Sequence, residues 1–98
     1  MKNTEIITLC GSTKFDEALR KLTLEGKIVF SIENIDRNKV NKEQKKKLEE
    51  LHFKKIYLSD GIYVIDINEY IGEGTKREIN YAIKNNKFVR YYSRERNT

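Results

Sequence analysis

Residues 5–11 read EIITLCG, a short apolar run rich in β-branched side chains that ends at a glycine. Such a run predicts a β-strand buried on both faces, as strands of parallel sheets usually are. Residues 15–22 follow with apolar side chains at helical spacing (Phe15, Ala18, Leu19, Leu22), and Gly26 stands where helices commonly end. We therefore predict a strand, a tight turn and a helix.

The same alternation continues along the chain. Further strands are predicted at residues 27–32 (KIVFSI), 61–67 (GIYVIDI) and 87–92 (KFVRYY), and further helices at about 45–59 and 75–85. Between them, residues 33–44 are polar without an apolar period, which predicts a loop or a mobile flap. The inner sides of the two later helices are predicted to carry Leu48, Leu51, Ile56 and Leu58, and Ile79, Ala82 and Ile83, respectively.

Strands that alternate with helices indicate right-handed βαβ crossovers and a parallel sheet. We expect an α/β fold with a four-stranded parallel sheet of order 2-1-3-4. This order reverses between strands 1 and 3, and ligands bind open α/β sheets outside the carboxyl ends of the strands at such a point. The loops that follow Cys10 and Ile67 should therefore lie side by side.

Length and composition limit the remaining possibilities. Ninety-eight residues, of which 38% are hydrophobic and 36% charged, fit one domain, predicted at 1–93 with a solvated tail at 94–98. A single cysteine, Cys10, excludes an internal disulfide and is most simply a small buried hydrophobic residue. No Cys/His spacing for zinc is present, so we expect neither a metal nor a cofactor.

The net charge is +5, which would attract an anionic partner. Much of the excess lies in the lysines of 39–47, where a solvated helix face is the simpler interpretation, so binding of a nucleic-acid polymer is not expected. No apolar run approaches the roughly 20 residues that span a bilayer. We expect a cytoplasmic protein without a membrane partner.

Two loops have the composition of anion sites. Gly11, Ser12, Thr13 and Lys14 join the first strand to the first helix, and Gly72, Glu73, Gly74 and Thr75 precede the third. Glycines and hydroxyls at a helix N-terminus suit a phosphate or a similar anion. Taken alone, the first loop is more simply a glycine turn with an N-cap, which any βα unit needs. Two such loops side by side indicate an anion site more strongly than either loop does alone.

Glu78 and His52 are the candidate catalytic residues. Thr75 and Glu78 have the spacing of a capping box, and spacing alone favours that interpretation of Glu78. A carboxylate held ionised near a helix N-terminus could also act as a nucleophile. His52, the only histidine, falls between Leu48 and Ile56 on the helical wheel, on the side predicted to face the sheet. It is either a satisfied core residue or an acid near neutral pH.

Polar residues around the third strand could meet a sugar. Asp66 and Asn68 lie at its carboxyl end, whereas Asp60 precedes it and has the simpler interpretation of a turn residue. Tyr70 could stack on a base or merely cover its loop.

Two blocks, LCGSTKF at 9–15 and LHFKKIYLSDGIYVIDINEYIGEGTKREINYA at 51–82, resemble the nucleoside 2-deoxyribosyltransferase-like family, which is related to deoxynucleotide N-hydrolases. The resemblance implies a small flavodoxin-like or Rossmann-like three-layer sandwich. It also implies a homodimer or larger homo-oligomer, in which a neighbouring subunit completes the site. No family counterpart is found for residues 33–47.

The resemblance also implies roles for single residues. Glu78 holds the place of the family's nucleophile, which attacks the anomeric carbon and releases the base, as in a retaining glycosidase. His52 stands where the family carries an aspartate that contacts the sugar and assists proton transfer. The loop of Gly11, Ser12 and Thr13 corresponds to the family's substrate-binding or phosphate-binding turn. Lys14 and Phe15, which follow it, are further candidate substrate-binding residues.

Two functions remain open at this point. The first is cleavage or transfer of the N-glycosidic bond of a (deoxy)nucleoside or its monophosphate. The second is a non-catalytic module of the same fold that senses or sequesters a nucleotide. In both cases the expected partner is a small nucleoside or nucleotide.

Overall fold

A computed structural model describes residues 4–11, 14–33 and 35–95 of the protein. Its helices and strands are β1 (Ile6–Gly11), α1 (Phe15–Leu24), β2 (Ile28–Phe30), α2 (Lys42–Leu58), β3 (Gly61–Ile65), α3 (Glu73–Lys84), β4 (Phe88–Tyr91) and α4 (Tyr92–Glu95). Two short 3₁₀ helices, Arg37–Lys39 and Ile67–Glu69, lie in the connections. Within these ranges no helix is long and apolar enough to cross a membrane.

The four strands form one all-parallel sheet of order β2-β1-β3-β4, which confirms the predicted fold and order. Successive residues of β1 point to opposite faces, so Ile7 and Leu9 pack with α1 while Cys10 packs with α2 and α3. On the second face Ile56 of α2 and Ala82 of α3 are fully buried against β3. Helices therefore cover both faces of the sheet, in a small three-layer α/β sandwich.

Helix α2 begins three residues earlier than the sequence pattern predicts. Asn41 is its N-cap: the Asn41 side chain accepts from the Gln44 N–H at 2.8 Å, and the Gln44 side chain accepts from the Asn41 N–H at 3.0 Å. This capping box satisfies two backbone donors that a helix N-terminus leaves open. The polar segment before residue 45 therefore contributes one more turn of helix.

The predicted inner sides of the later helices are partly wrong. Leu51 and Leu58 of α2 and Ile83 of α3 are exposed, with Leu58 at 66%. The residues that α2 turns toward the sheet are His52, Ile56 and, just beyond its end, Ser59, all of which are buried. Apolar side chains lie all around α2, so its contact with the sheet, and not its own pattern, decides which side is buried.

The C-terminal residues also differ from the prediction, which placed a solvated tail at 94–98. Glu95 ends α4 and accepts two hydrogen bonds from the Arg90 guanidinium, at 2.7 and 2.9 Å, and one from Lys21 at 3.0 Å. Arg90 also binds Glu25 at 3.0 Å. Residues up to Glu95 therefore belong to the folded unit; residues 96–98 lie outside the described residues.

Arg90→Met should lower stability at neutral pH and have progressively less effect in acid. Hydrogen bonds from Arg90 lower the pKa of Glu25 to about 2 and also lower the pKa of Glu95. A carboxyl with a depressed folded-state pKa stabilises the fold above its unfolded pKa, and this contribution is lost as the pH falls toward about 2. The Arg90 guanidinium lies over the Tyr63 ring, 5.5 Å from its centroid. Methionine keeps an apolar side chain near this ring while it removes the charge.

Thermal unfolding of both proteins at about pH 7 and about pH 3 checks this expectation. We expect Arg90→Met to lower the free energy of unfolding by about 1 kcal/mol at the higher pH, because the ion-pair network of Arg90 is partly exposed. The decrease should be smaller at the lower pH. A difference between the two proteins that does not change with pH would show that Arg90 acts through packing alone.

Candidate functional site

A cavity of about 440 Å³ opens at the carboxyl end of the central strand β1. Its walls come from the end of β1, the segment after β2, one side of α2 and the first two turns of α3. Two smaller cavities adjoin it: Lys14 and Phe15 line the first of them, and Tyr70 and Gly72 line the second. The cavity therefore lies at the point where the strand order reverses, as the sequence predicts.

Gly11 allows the two loops to meet. It pairs with Ile65 of β3 at φ 133°, and a Cβ at Gly11 would lie 2.9 Å from the Ile65 carbonyl oxygen. Gly11, Gly74 and Thr75 line the same two cavities, so the predicted side-by-side placement of the loops is confirmed. Ser12 and Thr13 lie outside the described residues, and their role at an anion site stays a prediction.

Three side chains from three elements converge beneath the cavity: Cys10 from the end of β1, His52 from α2 and Glu78 from α3. His52 Nε2 lies 3.6 Å from Cys10 Sγ and 3.4 Å from Glu78 Oε2. Cys10 and His52 are buried, and only 19% of the Glu78 side chain is exposed. His52 and Glu78 also line the cavity, so the cluster is accessible from it.

Glu78 is not part of a capping box. Helix α3 begins at Glu73 with Gly72 as its N-cap, and no side chain caps it, so Glu78 lies in the second turn and points toward His52. Burial raises the pKa of Glu78 to about 7. Desolvation therefore acts against the expected ionised state of this carboxyl, which is partly ionised at neutral pH.

His52 does not fit the predicted role of an acid near neutral pH. Burial lowers its pKa to about 4, and the positive charges of Lys55 and Arg37 act in the same direction. The imidazole is therefore neutral at pH 7. Burial also raises the pKa of the Cys10 thiol, with a further contribution from Glu78, so the thiol is protonated.

Charged residues that the sequence analysis did not select stand around the cavity. Glu33, Arg37, Lys45, Glu49 and Arg77 all line it. Glu33 is tied to Lys55, which also donates to the Ser31 carbonyl oxygen at 2.8 Å. Arg37, Lys45 and Arg77 have no carboxylate partner among the described residues. These residues lie in a polar stretch and in charged helices, where no local sequence pattern distinguishes a residue that lines a cavity from one that is solvated.

Several predicted binding residues are not brought to the cavity. Asp60 lies at the amino end of β3, where its Oδ2 accepts a hydrogen bond from the Ile6 N–H at 2.7 Å. It therefore joins β1 and β3 at the amino ends of the strands, away from the cavity. Asp66 is buried and accepts from the Ser93 N–H and hydroxyl at 2.8 and 2.7 Å. Its carboxylate therefore anchors α4. Asn68 is exposed at φ 54°, and Tyr70, at the smaller cavity, is 71% exposed.

Neither the models of known protein families nor the curated proteins give a match to this chain.

Proposed function

We propose that the protein cleaves or transfers the N-glycosidic bond of a (deoxy)nucleoside or (deoxy)nucleoside monophosphate, with Glu78 as the nucleophile. The observation that carries this proposal is a mostly buried carboxylate that reaches a cavity at the switch point of the sheet. The place of Glu78 in the motif at 74–82 supports the same assignment through the resemblance to deoxyribosyltransferases.

In the proposed reaction a Glu78 carboxylate oxygen attacks the anomeric carbon as the C–N bond breaks. The departing base keeps the electron pair of that bond and takes up a proton from water, and the sugar remains as an ester of Glu78. Attack by a second base or by water then breaks the ester and regenerates the carboxylate. Transfer and hydrolysis differ only in that acceptor.

His52 acts in this proposal as a positioning residue. Its Nε2 lies 3.4 Å from Glu78 Oε2, and α2 holds the ring in a buried site against β1. One carboxylate oxygen is thereby directed to the imidazole, and the other is left for the substrate. This arrangement supports a nucleophile that is oriented before the substrate arrives.

The cavity suits a single nucleotide better than a polymer. Its volume, about 440 Å³, lies within the usual range of small-molecule sites. Arg37, Lys45 and Arg77 on its walls provide positive charge for a phosphate, and Phe53 provides an aromatic surface. These features support a monophosphate as the preferred form of the substrate.

Chromatography of a mixed pool of deoxynucleosides and their monophosphates, incubated with the protein with and without a free second base, tests the proposal. Release of a base would establish hydrolysis, and a new nucleoside would establish transfer. Nucleotide binding without any change in the pool would favour the alternative, a non-catalytic nucleotide-binding module. One feature favours that alternative: burial lowers the pKa of His52 to about 4, so at neutral pH it carries no imidazolium proton for a leaving base.

We also propose that the protein is cytoplasmic and works as a homodimer or larger homo-oligomer whose neighbouring subunit helps to close the cavity. The exposed apolar side chains of α2 and α3, among them Leu51, Leu58 and Ile83, support self-association. Light scattering during size-exclusion chromatography at micromolar concentration should give at least twice the 11.7 kDa chain mass. A clean monomer would refute the shared site.

A further inference from the structure

The ligand atoms of Cys10, His52 and Glu78 lie within 4.8 Å of one another, near the spacing that a tetrahedral zinc ion requires. We propose that these three side chains bind Zn²⁺ and leave a fourth coordination position open to the cavity. This proposal does not depend on the glycosidic reaction, and it goes beyond the sequence expectation of no metal. That expectation considered spacing along the chain, whereas these ligands come from three separate elements.

The bond lengths of zinc predict the distances between its ligand atoms, which can be compared with the distances in the protein. Zn–S, Zn–N and Zn–O bonds of about 2.3, 2.0 and 2.1 Å at tetrahedral angles place sulfur and nitrogen about 3.5 Å apart and nitrogen and oxygen about 3.3 Å apart. In the protein Cys10 Sγ to His52 Nε2 is 3.6 Å, and His52 Nε2 to Glu78 Oε2 is 3.4 Å. Two of the three distances between ligand atoms therefore match those of a zinc site without movement of the His52 ring.

The third distance, between the Cys10 sulfur and a Glu78 carboxylate oxygen, requires at most a small rotation of the Glu78 side chain. In a tetrahedral site the sulfur–oxygen distance is about 3.6 Å, and the observed separation is within 4.8 Å. Glu78 has the longest and most adaptable of the three side chains. Cys10 and His52, in contrast, are buried between β1 and α2 and offer a fixed pair of ligands.

The donor set selects the class of metal. A thiolate, an imidazole and a carboxylate suit Zn²⁺, whereas Mg²⁺ and Ca²⁺ require a shell of oxygen ligands. Binding releases the Cys10 thiol proton to solvent, and the metal takes the sulfur as a thiolate. Because His52 and Glu78 line the cavity, water or a donor group of a bound molecule completes the fourth position.

Zinc binding and the proposed glycosidic reaction should exclude each other, since both use the Glu78 carboxylate. Added Zn²⁺ should therefore inhibit base release, and a chelator should restore it. The binding measurement needs no substrate, so failure of the proposed function leaves the zinc proposal testable, and the reverse also holds.

Calorimetric titration of the metal-free protein with Zn²⁺, and visible spectroscopy with Co²⁺ as a substitute, test the proposal. We expect one ion per chain, the intense visible bands of a four-coordinate Co²⁺ and a thiolate-to-cobalt charge-transfer band. Cys10→Ser should abolish the charge-transfer band and weaken Zn²⁺ binding by more than about tenfold, since even the loss of outer-shell partners costs that much.

Glu78→Gln provides a second variant should Cys10→Ser fail to fold, and Glu49→Gln, at an exposed carboxylate on the cavity wall, is the matched control. We expect weaker binding in the first and unchanged binding in the second. Weak six-coordinate Co²⁺ bands, or equal Zn²⁺ affinity in all variants, would indicate binding at surface carboxylates and would overturn the proposal.

Discussion

Glu78→Gln is expected to lower base release or exchange by at least about 10³-fold, because an amide cannot form the glycosyl ester that the proposed reaction requires. Glutamine has nearly the same volume and keeps a polar atom next to His52. The fold should therefore be retained, and the melting temperature should change by no more than a few degrees. The measurement is the rate of base release by chromatography, carried out with a chelator so that metal binding does not contribute.

Glu73→Gln is the matched control for this experiment. Glu73 lies on the same helix but is exposed, and its only ion pair in the described structure is with Lys76 at 3.3 Å on the surface. Such pairs contribute little, so both activity and stability should stay close to those of the unchanged protein. Turnover that survives Glu78→Gln would eliminate Glu78 as the nucleophile; equal losses in both variants would point to damage to α3.

Gly11→Ala should give the largest loss of stability among single substitutions at the site. At φ 133° an alanine is strained, and its Cβ would lie 2.9 Å from the carbonyl oxygen of Ile65 on the neighbouring strand. The two effects together should cost about 2–4 kcal/mol. For a domain of this size that corresponds to a decrease of roughly 10–25 °C in the melting temperature, measured by circular dichroism.

Gly26→Ala separates the two causes. Gly26 also has a positive φ, 86°, but a Cβ there would meet no atom within 4 Å. Its substitution should cost only about 1 kcal/mol, the price of the backbone conformation. If the two variants lost the same stability, the close approach of β1 to β3 at Gly11 would contribute nothing, and the packing argument for this loop would be wrong.

The fold was predictable because its determinants are local and repeated. Each central strand is an apolar run bounded by a turn, and right-handed crossovers leave few ways to arrange four such strands around their helices. The order β2-β1-β3-β4 and the meeting of the loops at Gly11 and Gly74 follow from that regularity. The same regularity located the cavity, since the switch point is a property of the strand order.

Details of helix orientation were not predictable from local patterns. Leu51 and Leu58 have the right chemistry for a core but are exposed, whereas the inward placement of Ile56 and His52 is confirmed. Likewise, Thr75 and Glu78 have the spacing of a cap, but α3 begins two residues earlier, at Glu73. In both helices the contact with the sheet selects the buried side, and that contact is a long-range property.

The amino-acid sequence by itself therefore determined the class of fold, the order of the strands and the edge of the sheet at which a ligand would bind. Only the tertiary structure decided which side chains meet there. Cys10 and His52 are 42 residues apart in sequence, yet their side-chain atoms lie 3.6 Å apart because α2 packs directly over the end of β1. The same packing removes water from Glu78 and changes its protonation, since desolvation depends on the completed fold and not on neighbouring residues in the chain.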